Sequence, residues 1–405
     1  MKFIIYINSY AGVIIMVESW LLELLKGIGK VFLNPLLYWS FLMILIVSYR
    51  RIQRERGHFG FKIFNAFSEW KNTWMTSILA GLIISLLTLG LGMVFSYETI
   101  LVLSIVVIIL SISFSLTLLS ASYTIGITYL IILLSPLLLQ FQTFLDVQLF
   151  SKIDFTSLVI LLSIFLFIEA ILLRNIKRED TFPELSLSDR GIWIGQHHLK
   201  KISMIPFFVL IPSGMITPFA PFWPYFSIGD ESYSILLVPF IIGFDYLVRG
   251  SLPQNAARRI SKSVSILGLI VLLLAIGSIY ISWLSLIAVL IAIVGREFIN
   301  YKHRINDKGS LPYFNPVAAG LKVLAVIPGT PGDRLGILVG ETILKVNGRE
   351  INSEEEFYIA LQESGAYFKI DVLNDEEEVR FVQSALYEGD HHELGLIFAG
   401  KPYRN

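Results

Sequence analysis

Nothing constrains this chain more than its long apolar stretches. They lie near 33–49, 73–95, 99–119, 123–143, 155–173, 204–222 and 233–249, and a last one runs from Val264 to Gly295. About 20 apolar residues, helical at 1.5 Å per residue, cross the roughly 30 Å hydrocarbon core of a bilayer. The last stretch would be about 48 Å long as one helix, more than one crossing needs, so it reads as a helical hairpin turning near Ser278 to Ser285. The expected fold is a polytopic α-helical membrane domain of about 8–9 spans over residues 33–298. An N-terminal segment, 1–32, precedes it; a linker, 299–314, and a small α/β domain, 315–400, follow. Glu18 to Lys30 reads as an interfacial amphipathic helix, with Trp20, Leu21, Leu24 and Leu25 opposed to Glu23, Lys26 and Lys30. Composition agrees with a membrane protein: 55% of the residues are hydrophobic and 16% charged, where a soluble domain carries about 25% charged.

Charge in the polar loops sets the expected orientation. Arg50, Arg51, Arg54, Arg56, Lys62 and Lys71 fill the first loop, and Arg174, Lys177, Arg178, Arg190, Lys200 and Lys201 the second. Arg249, Arg258, Arg259 and Lys262 fill the third, and Arg296, Lys302, Arg304 and Lys308 follow the last span, while the intervening loops carry only Lys152. The positive-inside rule places these four segments, and the C-terminal domain with them, in the cytoplasm. Parity is satisfied, because an even number of spans separates each basic segment from the next.

The C-terminal domain has its own signals. Leu321 to Val326 reads as a strand, followed by a Pro-Gly-Thr-Pro-Gly turn and a short helix. A second strand then reverses at Asn347-Gly348, a pair that tolerates positive φ at both turn positions. Ser353 with Glu356 fits a capping box that opens a helix with Phe357, Ala360 and Leu361 on one face. Tyr367 to Leu373 and Val379 to Ala385 read as two more strands. The order strand, PGTP, helix, Gly, strand, VNG resembles a PDZ domain, which implies peptide binding by strand addition at a sheet edge beside a helix. From Leu321 to Gly395 the chain carries 15 Asp/Glu against 6 Lys/Arg, so the domain is acidic and the membrane half basic. No basic aromatic surface suits nucleic acid, and an anionic leaflet repels the domain.

Residues capable of chemistry are sparse. The absence of cysteine removes disulfides, thiol catalysis and Cys–zinc sites. His392-Glu393 begins like the H-E-x-x-H zinc motif, but Leu396 stands where the second histidine ligand belongs. Ser213, within Pro212-Ser213-Gly214, resembles an intramembrane serine nucleophile, yet all six histidines (58, 197, 198, 303, 391, 392) lie outside the apolar runs. Glu169 and Asp245 are expected to snorkel or pair with Arg174 and Arg249. Pro206, Pro212, Pro218, Pro221 and Pro224 interrupt the sixth run, which leaves a substrate path open. The expectation is a protein with no catalytic residues, no metal and no cofactor.

The groove is expected at the chain's end. The segment Leu311 to Gly320 is too short and Pro-interrupted to supply the usual Gly-Leu-Gly-Phe-like loop before the first strand. Leu394, Gly395, Leu396, Ile397 and Phe398 have the right character, which suggests a circularly permuted domain. Phe357, Tyr358 and Leu361 would form the opposite wall; the alternative is that Leu396, Phe398, Phe357 and Leu361 are simply core. The domain's acidity leaves an internal peptide segment or a basic partner surface open as ligand, beside a C-terminal carboxylate.

A basic multi-span half, one C-terminal PDZ-like domain, and the ending Ala385-Leu-Tyr-Glu-Gly-Asp-His-His-Glu-Leu-Gly-Leu-Ile-Phe-Ala399 together resemble the MinJ family of cell-division topological determinants. The resemblance covers essentially the whole chain after Met16, the segment before it being a departure. It implies a non-enzymatic adaptor of the cell membrane, concentrated at septa and poles. Such an adaptor links the polar, curvature-sensing coiled-coil protein DivIVA to MinD, and with it MinC, the division inhibitor. The competing class is a transporter or membrane-protease regulator with a PDZ sensor, which would show flux or altered proteolysis rather than partner-dependent localisation.

Overall fold

A computed structural model describes residues 2–71, 73–139, 154–188, 190–220, 222–227, 232–315, 319–365, 367–385, 394–400 and 402–403. The first part is largely helical: α1 (Lys2–Val31), α2 (Pro35–Phe59), α3 (Trp74–Gly90), α4 (Tyr97–Ile112), α5 (Ala121–Leu139) and α6 (Phe155–Arg174). Three strands follow, β1 (Phe182–Leu187), β2 (Trp193–Ile216) and β3 (Tyr233–Val248), and then the antiparallel helices α7 (Pro253–Ser278) and α8 (Leu284–Gly309). Caps define several boundaries. Asn34 accepts from the Leu36 N–H at 2.9 Å with Pro35 at the first helical position, and Asp154 accepts from the N–H groups of Thr156 and Ser157. Helices α2, α6, α7 and α8 are each long and apolar enough to cross a membrane, while α3 and α4 are apolar but shorter.

The principal difference from the sequence expectation concerns the sixth and seventh apolar runs. They are strands, and 8–9 helical spans are not confirmed: among the described residues four helices are long and apolar enough to cross. β2 and β3 pair antiparallel in a long ribbon, with β1 added only at its base. The apolar stretch from Met204 to Pro212 rises about 30 Å as a strand, enough to match the thickness a helix would need twice the residues to cover.

A two-stranded ribbon leaves unpaired backbone groups along both edges, which low-dielectric surroundings make costly. Here α3 covers one edge with a stripe of small and hydroxyl residues, Ser77, Gly81, Ser85 and Thr88. Ser85 Oγ accepts from the Phe208 N–H at 2.9 Å, and Thr88 Oγ1 donates to the Phe208 carbonyl at 2.6 Å. A Cβ at Gly81 would lie 2.0 Å from the Pro206 carbonyl oxygen, so only glycine lets the helix come this close. The prolines are part of the same solution. Pro206 and Pro212 share the outward parity of Phe208, and Pro206 lies directly opposite Pro239. At each, the missing N–H faces an edge where it would have no ladder partner.

The ribbon rests on α6, the most buried of these helices, through Phe165 stacked against Phe207 and Phe240 at 5.3 and 4.3 Å. α1 lies across the ribbon's tip, with Trp20 5.6 Å from Trp223. Its faces follow the amphipathic reading only in part: Trp20 and Leu24 pack at the ribbon's tip, but other positions depart from it. Leu21 and Leu25 are exposed, and Glu23 is buried, accepting from Ser234 of β3 and from Lys26.

The two acids of the apolar runs are paired, though not with the nearest arginines in sequence. Glu169 meets Arg296 of α8, both fully buried, and also accepts from Ser120. Asp245 bonds His198 Nδ1 at 2.8 Å across the ribbon, while Arg249 donates its backbone N–H to Asp307 at 2.9 Å. Packing between distant elements, rather than proximity in the chain, chose the partners.

After α8, whose last turns occupy most of the segment expected as a linker, come β4 (Leu321–Val326), α9 (Pro331–Arg334), β5 (Thr342–Val346), β6 (Arg349–Glu350), α10 (Glu354–Glu363), β7 (Tyr367–Leu373), β8 (Val379–Ala385) and β9 (Leu396–Phe398). The sheet order is β8-β7-β5-β4-β9, with β6 beside β5. Asn347 and Gly348 both have positive φ in the turn between β5 and β6. One face of the sheet buries Val323, Ile343, Val346, Phe368, Ile370 and Val372 under α10. The other is not free: Leu324, Ala325, Val339 and Ile397 pack with Ile63, Phe64, Phe182, Leu185, Leu252 and Phe314 from the first part of the chain. The Gly195 N–H donates to the Phe314 carbonyl at 2.8 Å, and Tyr403 N–H to the His58 carbonyl at 2.8 Å. The small domain is thus seated on the basic end of the helical part.

Candidate peptide-binding site

The site is built from α10 and β9. α10 begins where Ser353 Oγ accepts from the Glu356 N–H at 3.2 Å and the Glu356 carboxylate accepts from the Asn352 N–H at 2.8 Å. Three successive glutamates, 354–356, occupy the first turn, where the helix dipole favours negative charge. The helical period then turns Phe357, Ala360 and Leu361 inward. β9 is an outer strand of the sheet, antiparallel to β4, with Leu396 opposite Val326 and Ile397 opposite Ala325. Its entry is a tight left-handed turn: Leu394 and Gly395 have φ of 54° and 71°. That turn is clasped by the PGTPG segment, since the Gly332 N–H donates to the Leu394 carbonyl and the Ile327 N–H to the Gly395 carbonyl, both at 2.8 Å.

The expected groove residues separate into four groups. Leu394, Leu396 and Phe398 point to the same side as Phe357 and Leu361 and are buried with them. The Phe357 and Phe398 rings meet edge to face at 5.2 Å. Ile397, as strand alternation requires, faces the opposite way, into the contact with the helical part. Tyr358 alone is half-buried at the rim, its hydroxyl donating to Glu354 at 2.9 Å. Gly395 is held for a reason nearer than an approaching strand: a Cβ there would lie 2.3 Å from Thr330 Oγ1. Thr330 and Gly332 were not expected to contribute, although the repeated glycines of the PGTPG turn carry the signal. A Cβ at Gly332 would lie 2.8 Å from the Leu394 carbonyl it must approach.

His392 and Glu393 lie outside the described residues. Ser213 stands at the far tip of the ribbon with φ of 67°, in a shallow polar depression lined by Glu23, Lys26, Lys30 and Ser234 but by no histidine. Among the described residues no three His, Cys, Asp or Glu side chains converge as a metal would require.

A strand edge flanked by a helix, on a domain seated against a bundle of apolar helices, defines a class: membrane-associated proteins carrying a peptide-recognition module. Residues 322–372 match the model of the PDZ domain family. The chain is 33% identical over 382 residues, 94% of its length and 96% of the relative's, to the cell division topological determinant MinJ of Bacillus subtilis (strain 168). It is 31% identical over 78 residues, 19% of the chain and 21% of the relative, to a probable cell division topological determinant MinJ of Lacticaseibacillus paracasei. The chain belongs to the MinJ family.

Proposed function

We propose that this protein is a non-enzymatic membrane adaptor that places cell division, its PDZ domain cytoplasmic and its partners a DivIVA-like coiled-coil protein and MinD with MinC. The family relationship supports the placement role. The orientation is supported by the basic segments, all at the end of the bundle where the PDZ domain sits; the β2–β3 ribbon goes out and returns, preserving the parity that loop charge requires. In this reading a partner peptide adds as a strand along β9, its side chains meeting α10 near Tyr358, over a floor of Leu394, Leu396, Phe398, Phe357 and Leu361. The glutamates of α10 favour a basic segment over a free carboxylate. The observation that carries the proposal is the position of β9, at the sheet's edge beside α10 and anchored through Ile397 to the membrane half. A contact of micromolar strength, about 8 kcal/mol, then gains from confinement to a surface.

Two experiments test it. A fluorescent fusion is expected at septa and poles only when the coiled-coil protein is present, and deletion is expected to spread the inhibitor around the membrane and lengthen cells. An inhibitor still concentrated at septa and poles in deletion cells would remove the bridging role. Tyr358→Glu is expected to weaken partner binding at least tenfold in a folded protein; unchanged binding would move the groove elsewhere.

A further inference from the structure

A cavity of about 940 Å³ lies between the PDZ domain and the basic end of the helical part. Its floor reaches Ser77 and Ile78 of α3 and Met204 and Pro206 of β2; its roof is Ile337, Leu338 and Val339 of the PDZ domain. We infer that this cavity holds one diacyl glycerophospholipid of the inner leaflet, with an acyl chain inside and its phosphate near Lys71 and Lys177. The inference rests on the membrane orientation proposed above.

Depth is the first argument. Trp70 and Trp74 line the cavity at the start of α3, where a membrane protein places its interfacial aromatic belt. Trp74 and Ile78 are also exposed outward, so the opening is lateral, toward lipid. The second argument is the lining, in which Phe64, Phe67, Phe182, Ile337 and Val339 give an acyl chain an apolar wall.

Charge places the headgroup. Asp180 is held by Lys201 at 3.6 Å; the other charges on the lining are Lys71 and Lys177 against Glu179 and Asp333, and a phosphate would sit on the lysine side. A peptide fits less well. Its backbone would need hydrogen-bond partners at the level of Met204 to Pro206. There Ser77 and Ser203 already bond each other, and Pro206 offers no N–H. An acyl chain needs none, and the volume lies in the range of small-ligand sites. An occupied cavity would join the PDZ domain to the bilayer as well as to the protein.

The test uses full-length protein purified in detergent, depleted of lipid and exposed to phosphatidylglycerol. Native mass spectrometry is expected to show one tightly retained lipid per wild-type chain. Retention should fall about tenfold in K71E/K177E, while thermal unfolding is unchanged. A photoactivatable phosphatidylglycerol on the wild type needs no variant, and its crosslinks are expected within residues 64–78, 177–182 or 325–339. No retained lipid, equal retention in the two folded proteins, or crosslinks confined to α7 and α8 would overturn the inference. Loss of retention with normal septal localisation would separate this site from the adaptor role, since the latter is read in cells.

Discussion

Adjacent histidines at the base of β2 have opposite fates. Burial lowers the basicity of His197 to a pKa of about 3, and its Nδ1 shares a hydrogen bond with Thr181 Oγ1 at 2.9 Å. Burial also opposes charge on His198, but Asp245 and Glu184 outweigh it and raise the pKa to about 9. A raised pKa contributes stability that is complete below the unfolded value of about 6.5 and is lost as pH rises through about 9. A depressed histidine pKa acts in reverse: stability falls as pH drops below about 6.5 and the unfolded chain gains a proton the native state refuses. Glu184, held low against burial by His198, adds to the acid limb. Thermal unfolding of the whole protein in detergent is therefore expected to peak near pH 6.5, and His198→Gln to flatten the alkaline side. A maximum unmoved by that substitution would contradict the assignment. The Glu169–Arg296 pair, both buried, yields a second expectation. Arg296→Met should cost about 3 to 5 kcal/mol by stranding the carboxylate, and adding Glu169→Leu should recover most of it. Unfolding midpoints of the two variants decide whether the pair is coupled in this way.

The β2–β3 ribbon shows where reading by hydropathy stops. A window of apolar residues is equally consistent with a helix and with a strand buried on both faces, and periodicity cannot separate them. Other marks were present. Pro206 and Pro212 are an even number apart, and phenylalanine, valine and isoleucine crowd both runs, which is the composition of strands. Read as helix breaks, the prolines suggested a substrate path; read as edge residues, they fit a covered strand. The PDZ elements were legible because each is fixed by local turn chemistry, as at Asn347-Gly348 and the Ser353 cap. The faces of α1 were legible only in part, since Glu23 is satisfied by Ser234, more than 200 residues away in sequence. The edge covering makes the ribbon testable. Thr88→Val keeps the side chain's shape but strands the Phe208 carbonyl, at an expected cost of about 1 to 3 kcal/mol. Gly81→Val, with no room for a Cβ, should prevent stable folding. If Thr88→Val is neutral in thermal unfolding and Gly81→Val accumulates normally in membranes, α3 does not seal this edge.

At the scale of the molecule, the PDZ domain has two apolar faces and only one belongs to its own core. Leu324, Val339 and Ile397 are each no more than 7% exposed, yet they pack against Phe314, Phe182 and their neighbours rather than against α10. Burying three such side chains contributes about 5 to 8 kcal/mol as an upper bound, shared between seating the domain and solubilising it. The sequence marked a small domain over 315–400 without showing this seat, because periodicity marks a strand's buried positions without saying what buries them. Detached from the helices, that domain would present a contiguous apolar patch to water, a surface prone to self-association. The excised domain is therefore expected to sediment as dimers or larger species at micromolar concentration and to bind an apolar fluorescent dye. Leu324→Lys with Ile397→Lys should make it monomeric with an unchanged far-ultraviolet circular dichroism spectrum. The same pair in the full-length protein should loosen the seat, read as faster amide exchange in β4 and β9 than in β7, which lies away from the contact. A monomeric, dye-silent wild-type domain would mean that the face is self-sufficient and that its contact with the helices is incidental.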